Sequence, residues 1–234
     1  MFTESAEFYD AIYSCKDYAA EAAQIARLMQ STHPHAHAIL DVACGTGEHA
    51  RALAMNHGFD VDGLDLDPGL LRVARVKHPS GHFYQVDMSD FSLDRRYDAV
   101  LCLFSSIAYL VTIERICRAL ACFRRHLSPE GVLFVEPWFP PGALDEGRVS
   151  RRTGTHQGMR VERVSRTQID GRVSRLHFEY RIEAPAGMRH VTEVHELGLF
   201  TADEMRGAFQ EAGLSADFDR TGLSGRGLWI ARAA

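Results

Sequence analysis

Apolar positions over the first 140 residues change period in a regular way. Across 18–29 they recur at three- and four-residue spacing (Ala19, Ala22, Ala23, Ile25, Ala26, Leu28, Met29), which predicts an amphipathic helix. From residue 37 onward, short apolar runs alternate with such helical patterns. Strands are predicted over 37–43, 59–64, 82–86, 97–104 and 131–136, with helices over 46–57, 68–77 and 112–126. Pro68 suits the first turn of its helix, where a missing N–H costs nothing. Alternation of this kind builds a parallel sheet with right-handed crossovers.

Between 149 and 200 the period drops to two, punctuated by Gly154, Gly158, Asp170-Gly171 and Pro185-Ala186-Gly187. Asp-Gly tolerates the positive φ of a tight hairpin, so an antiparallel insertion of three or four strands is expected here. A capping box, Thr201 with Glu204, then starts a last helix ending at Gly213, and strands follow over 216–220 and 228–231. The predicted architecture is α/β, a Rossmann-like, mostly parallel seven-stranded sheet (1–140 with 200–234) interrupted by an antiparallel unit over 141–199.

At 234 residues and 46% apolar content, the chain can bury one sizeable core. A net charge of −5 argues against a general polyanion binder. The five cysteines form no C-x-x-C pair, which points to reduced core thiols. Met-Phe-Thr-Glu-Ser carries no basic segment followed by an apolar stretch, and no apolar run is long enough to span a bilayer; a soluble cytoplasmic protein is expected.

The chemistry gathers at strand ends. Residues 39–47 run from an apolar strand into Gly45-Thr46-Gly47 with Asp41 at the junction, and the next two strands close on Asp65 and Asp87. Three carboxylates along one edge of a parallel sheet suit a single extended polar ligand. The arrangement resembles the class I S-adenosylmethionine (SAM)-dependent methyltransferases. That resemblance places Asp41 near the donor's ammonium and Asp65 on both ribose hydroxyls. It places Asp87 and Met88 at the adenine, and Ala43, Gly45, Gly47, Leu66 and Phe104 in the same pocket. Gly47 is expected to let the backbone approach the ligand. A dinucleotide enzyme competes, because Gly45-x-Gly47-x-x-Ala50 also fits that fingerprint. Asp41 would repel a pyrophosphate, however, and no hydride-transfer apparatus is evident.

The resemblance narrows with Glu7-Phe8-Tyr9-Asp10, Phe104-Ser105-Ser106-Ile107, Val135-Glu136-Pro137-Trp138 and Ser224-Gly225-Arg226-Gly227-Leu228. Together these are similar to the N,N-dimethyltransferases of dTDP-linked 3-amino-deoxysugars. Tyr109 stands where that family carries a histidine, and Phe139 follows Trp138 where it carries a second tryptophan. The resemblance implies SAM as donor, a nucleotide-linked aminosugar as acceptor, and His126 as base for the amine. Tyr13 would close over the sulfonium, and Ser106, Trp138, Arg175, Tyr180 and Arg226 would line the acceptor site. Arg226 and then Arg175 are the expected diphosphate ligands. A homodimer is among the assemblies allowed. His126 also has a plainer reading, as a cation at a helix C-terminus.

Other readings stay in view. The arginines over 148–181 are a solvated face or, on alternating strands, one face suited to a diphosphate; an RNA substrate would also want them, but no RNA-binding module is present. Methylation of another small metabolite, at nitrogen or oxygen, is the nearest alternative, and a SAM-binding regulatory module the non-enzyme one. His33-x-His35-x-His37 is read as a solvated loop without a nearby carboxylate, and no metal is expected.

Overall fold

The computed structural model describes residues 6–185 and 187–234. The leader reading over 1–5, and Ala186 of the Pro185–Gly187 turn, lie outside that set. A short helix α1 (Tyr9–Ile12) precedes α2 (Tyr18–Thr32). Then come β1 (Ala38–Val42), α3 (Glu48–His57), β2 (Asp60–Asp65), α4 (Pro68–Lys77), β3 (Phe83–Gln85) and β4 (Tyr97–Cys102). A 3₁₀ turn over Ser106–Leu110 leads to α5 (Ile113–His126) and β5 (Leu127–Val135). The insertion supplies β6 (Val149–His156), β7 (Met159–Asp170), β8 (Val173–Ala184) and β9 (Gly187–Gly198). The chain closes with α6 (Ala202–Glu211), β10 (Leu214–Asp219) and β11 (Leu228–Ala233).

Seven strands form one sheet in the order β10-β11-β5-β4-β1-β2-β3, parallel from β1 to β5, with β10 and β11 antiparallel. Its central strands carry apolar residues at consecutive positions because helices cover both faces. Val100, Cys102, Leu133 and Val135 pack towards α5 and α6. Ala99, Leu101, Val132 and Phe134 pack towards α2, α3 and α4. The Asp98 carboxylate accepts the His37 and Ala38 amides at 2.9 and 3.0 Å, tying the start of β1 to β4. The four insertion strands form a separate antiparallel sheet, β6-β7-β8-β9. Its β7–β8 hairpin turns at the expected place, with Asp170 paired to Val173 and Gly171 at φ 56°.

One face of that second sheet is buried by the N-terminal segment. Phe8, Ile12 and Tyr13 pack with Val161, Phe178, Tyr180 and Ile182. Here Gly154 has a use that strand punctuation did not suggest: a Cβ at this position would run into the Ala11 carbonyl, so only glycine lets β6 lie against α1. The loop expected at 33–37 is also more tied down than its composition implies. His33 lies 3.7 Å from Asp98 and 3.9 Å from Glu130, so carboxylates are indeed close to it.

Candidate active site

A cavity of about 860 Å³ opens above the carboxyl ends of β1, β2 and β4, and the insertion sheet and the N-terminal tyrosines wall its other side. The strand ends are conformationally unusual: Ala43 and Phe104 have φ 55° and Ser105 has 61°, values L-residues adopt only under constraint. Part of that constraint is visible at β4. The Phe104 amide donates to Glu136 Oε2 at 2.6 Å and the Ser105 hydroxyl to the Pro137 carbonyl at 2.7 Å. Such outliers concentrate where chains are shaped for a ligand.

On the sheet side, Ala43, Gly45, Asp65, Leu66, Asp87, Met88 and Phe104 line the cavity, as the sequence pattern anticipates. Asp65 is pinned by backbone: Oδ2 accepts from the Gly45 amide and Oδ1 from the Asp67 amide, each at 2.9 Å. Each oxygen keeps a second lone-pair direction. Burial raises the Asp65 pKa against those amide bonds. Asp87 is more heavily engaged, with Ser89 on Oδ1 and Arg115 on Oδ2 at 3.0 Å. Asp41 lies below the floor, and its buried Oδ2 has no hydrogen-bond partner. Burial pushes its pKa up to about 6, with the nearby His49 opposing. A buried carboxylate oxygen left without a donor is what an ammonium group would satisfy, so this side fits the methionine end of SAM.

Gly47 corrects one expectation. It is absent from the cavity wall, and a Cβ there would meet Ala74 of α4 at 3.0 Å rather than a ligand. Its work is the left-handed turn (φ 74°) that starts α3.

The opposite wall is cationic. Arg148 and Arg152 project from β6 and its approach, and Arg163, Ser165 and Thr167 from one face of β7. Arg163 is 9% exposed, donates to the Tyr13 hydroxyl at 2.9 Å and lies 4.4 Å over the Phe178 ring. Its Nε is buried without a partner. Arg226 also lines the cavity, between the Phe104 and Trp138 rings. Glu136, 1% exposed, holds it at 3.2 Å and also takes the Ser224 hydroxyl. The two motifs singled out in the sequence, Glu136-Pro137-Trp138 and Ser224-Gly225-Arg226, are therefore one hydrogen-bonded unit. Ser106 and Trp138 are in the wall as well.

Three assignments do not survive. His126 is 3% exposed and is not part of the cavity wall. Its Nδ1 donates to the Cys122 carbonyl at 2.7 Å, Nε2 accepts from the Leu93 amide at 2.9 Å, and its ring stacks on Phe91 at 4.4 Å. Burial also lowers its pKa. With both nitrogens committed, it is a neutral structural histidine, neither base nor helix-end cation. Arg175 is absent from the cavity wall and committed to Asp170 at 2.6 Å and to Glu196, itself a lining residue, at 2.7 Å. Tyr180 is buried behind Arg163 and edge-on to Phe8 at 5.0 Å, so it supports the wall without forming it.

Ser165 and Thr167 were not singled out in the sequence, whereas Arg163 belongs to the arginine run read as a diphosphate face and Tyr13 was expected at the sulfonium. Arg163, Ser165 and Thr167 share a period of two, which marks a common face on a strand; that signal was available inside the arginine run. Tyr13 lines the cavity edge-on to Phe104 at 5.0 Å. Its segment is clamped to the glycine loop: Asp10 accepts the Thr46 hydroxyl at 2.7 Å and Lys77 at 2.5 Å, while Lys16 and His49 share Glu21. No local pattern announces such long-range bonds. Among the described residues no cluster of histidine, cysteine, aspartate or glutamate could hold a metal ion, and no helix is long and apolar enough to cross a membrane.

Comparison with known proteins agrees with this geometry. Residues 39–131 match a family described as a methyltransferase domain. A Streptomyces venezuelae dTDP-3-amino-3,4,6-trideoxy-alpha-D-glucopyranose N,N-dimethyltransferase is 41% identical, covering 97% of both chains. Its counterpart for dTDP-3-amino-3,6-dideoxy-alpha-D-glucopyranose in Streptomyces fradiae is 42% identical over 97% of this chain and 89% of its own. A SAM-bound amino pentose methyltransferase from Micromonospora echinaspora superposes with a TM-score of 0.86 at 36% identity, covering 97% and 96%. With carboxylates at the strand ends that line its cavity and relatives of near-full length, the chain belongs to the class I SAM-dependent methyltransferase family that includes the nucleotide-aminosugar N,N-dimethyltransferases.

Proposed function

We propose that this enzyme N-methylates the amino group of a nucleotide-linked amino-deoxysugar. The observation that carries the proposal is the two-sided cavity: carboxylates on the sheet side, and Arg148, Arg152, Arg163 and Arg226 beside Trp138 and Phe139 on the other. Guanidinium forks match the oxygens of a diphosphate, and an aromatic pair offers a face to a base or sugar. Residues 141–199 are thus proposed to contribute to the acceptor site, together with Trp138, Phe139 and Arg226 of the core. The relatives named above act on substrates of this kind.

On the donor side, Asp41 would hold the ammonium, Asp65 the ribose hydroxyls, and Asp87 with Met88 the adenine. Asp87 would do so with only the acceptor capacity that Ser89 and Arg115 leave. SAM supplies a methyl group on a sulfonium, open to in-line displacement. Tyr13 and Phe104 present aromatic surface that favours positive charge and excludes water. The arginine wall fixes the acceptor's anionic end, so its amine is held over the donor pocket. Holding two reactants in line supplies much of the acceleration in such transfers.

Incubation with SAM and a panel of nucleotide aminosugars, read by mass spectrometry, tests this. Successive one- and two-methyl products on a nucleotide aminosugar are expected. Methylation confined to unrelated small metabolites overturns the substrate assignment, and tight NAD binding without SAM binding overturns the donor. The proposal includes a cytoplasmic location and a homodimer, which cell fractionation and light scattering check.

A further inference from the structure

Beyond the groups used above, one buried chain of titratable residues reaches the cavity. Tyr109 sits on the 3₁₀ turn after β4 and lines the cavity. Its hydroxyl lies 2.7 Å from Nδ1 of His195 on β9. His195 is fully buried, and its Nε2 is 3.2 Å from Oε2 of Glu193, which is 8% exposed and on the same strand face. The Phe178 ring packs against the imidazole at 4.7 Å.

Donor chemistry sets the direction of this chain. An ionised carboxylate only accepts, so Nε2 carries the hydrogen; Nδ1 of the neutral ring then holds a lone pair and accepts from Tyr109. A hydroxyl, an imidazole and an orienting carboxylate in that order form an acid–base unit. The groups around it have opposing effects. Burial holds the His195 pKa below its usual value and Glu193 raises it, while the Arg163 cation lowers it further. Tyr13, Tyr180, Glu193 and Arg163 all act on Tyr109, whose pKa burial raises. Both groups are therefore neutral at rest, the state in which His195 can accept a proton.

We propose that Tyr109 takes a proton from the bound acceptor ammonium, with His195 storing it and Glu193 orienting His195. This rests on the amine-acceptor reading above. One N–H proton of the ammonium passes to Tyr109 Oη as the phenol's own proton passes to His195 Nδ1. The phenol stays neutral, the imidazole becomes imidazolium, and the nitrogen lone pair is released for attack. Once the product has left, the stored proton returns through Tyr109 to water in the cavity. The relay joins the insertion to the sheet core, since β9 supplies two of its members and the turn after β4 the third.

Two measurements test it. The first needs no acceptor: ¹⁵N NMR of His195 with S-adenosylhomocysteine bound should show a protonated Nε2 and a lone-pair Nδ1 that Tyr109→Phe shifts. An Nδ1–H tautomer overturns the relay. The second is a set of rate–pH profiles on whichever amine the wild type methylates. Tyr109→Phe and His195→Gln should each lower kcat by about 100-fold at pH 7. The deficit should shrink as pH approaches the amine's own pKa, with S-adenosylhomocysteine affinity and Tm preserved. A deficit flat across pH, or a wild-type kcat in either variant, overturns the proposal. Failure of the wild type on every nucleotide aminosugar sinks the substrate assignment alone, and the tautomer then judges the relay by itself.

Discussion

The two walls of the cavity are built by different means. On the sheet side, carboxylates at strand ends are fixed by backbone amides close by, as Gly45 and Asp67 fix Asp65. On the opposite wall, long cations are fixed by other side chains far away in sequence, as Tyr13 fixes Arg163 of the insertion and Glu136 fixes Arg226 of the β10–β11 loop. The first arrangement follows from strand direction and a turn. The second exists only after tertiary assembly: the Arg163 pair needs the second sheet and the N-terminal segment to meet, and the Arg226 pair needs β11 to dock beside β5. Chemistry anchored to backbone is rigid and local, whereas chemistry anchored to side chains depends on each partner staying in place.

Substitutions can break or sharpen that contrast. The largest effect is expected at Glu136, which bonds to the Phe104 amide, Ser224 and Arg226 at once. Glu136→Ala leaves a half-buried guanidinium and an amide unpaired, and should cost about 3–5 kcal/mol in urea unfolding. A loss below about 1 kcal/mol would mean the side-chain anchor is dispensable. Next, Asp65→Ala should weaken SAM binding by about 1–3 kcal/mol in calorimetry, with little change in acceptor KM. Equal damage to both would erase the distinction between the walls. Arg226→Ala should do the reverse, raising acceptor KM roughly 10-fold, about 1.4 kcal/mol, while SAM affinity stays within twofold.

The smallest catalytic effect belongs to His126. His126→Asn should leave kcat near wild type at every pH, and a pH-dependent loss would restore it as a base. Its influence is on stability. Because burial depresses its folded pKa, the unfolded chain binds more protons just below the ordinary value of 6.5. Stability from this residue is therefore present above about pH 6.5 and lost as pH falls through that window. The variant should flatten that part of the stability–pH curve, and an unchanged slope would contradict the buried neutral assignment.

How much of this was legible follows the same divide. Asp65 and Asp87 could be placed because a parallel strand's apolar run says where it ends, and the site lies there. Both sheets were expected, and the β7–β8 turn at Asp170-Gly171 was located to the residue. His126 was misassigned because its position in the last turn of α5 does not say which way the ring faces. Its bond to the Leu93 amide spans 33 residues. Arg175 and Arg163 look alike in the sequence; strand parity separates them only once it is known which face of the sheet is covered. Tyr109 and His195 are 86 residues apart, and nothing local connects them.

The N-terminal segment touches both walls: Asp10 is bonded to Thr46 and Lys77 below, while Tyr13 is bonded to Arg163 above. Such a strap makes the two ligand sites thermodynamically conjugate. Whatever factor one ligand imposes on the other's affinity through that strap, reciprocity requires the same factor in both directions.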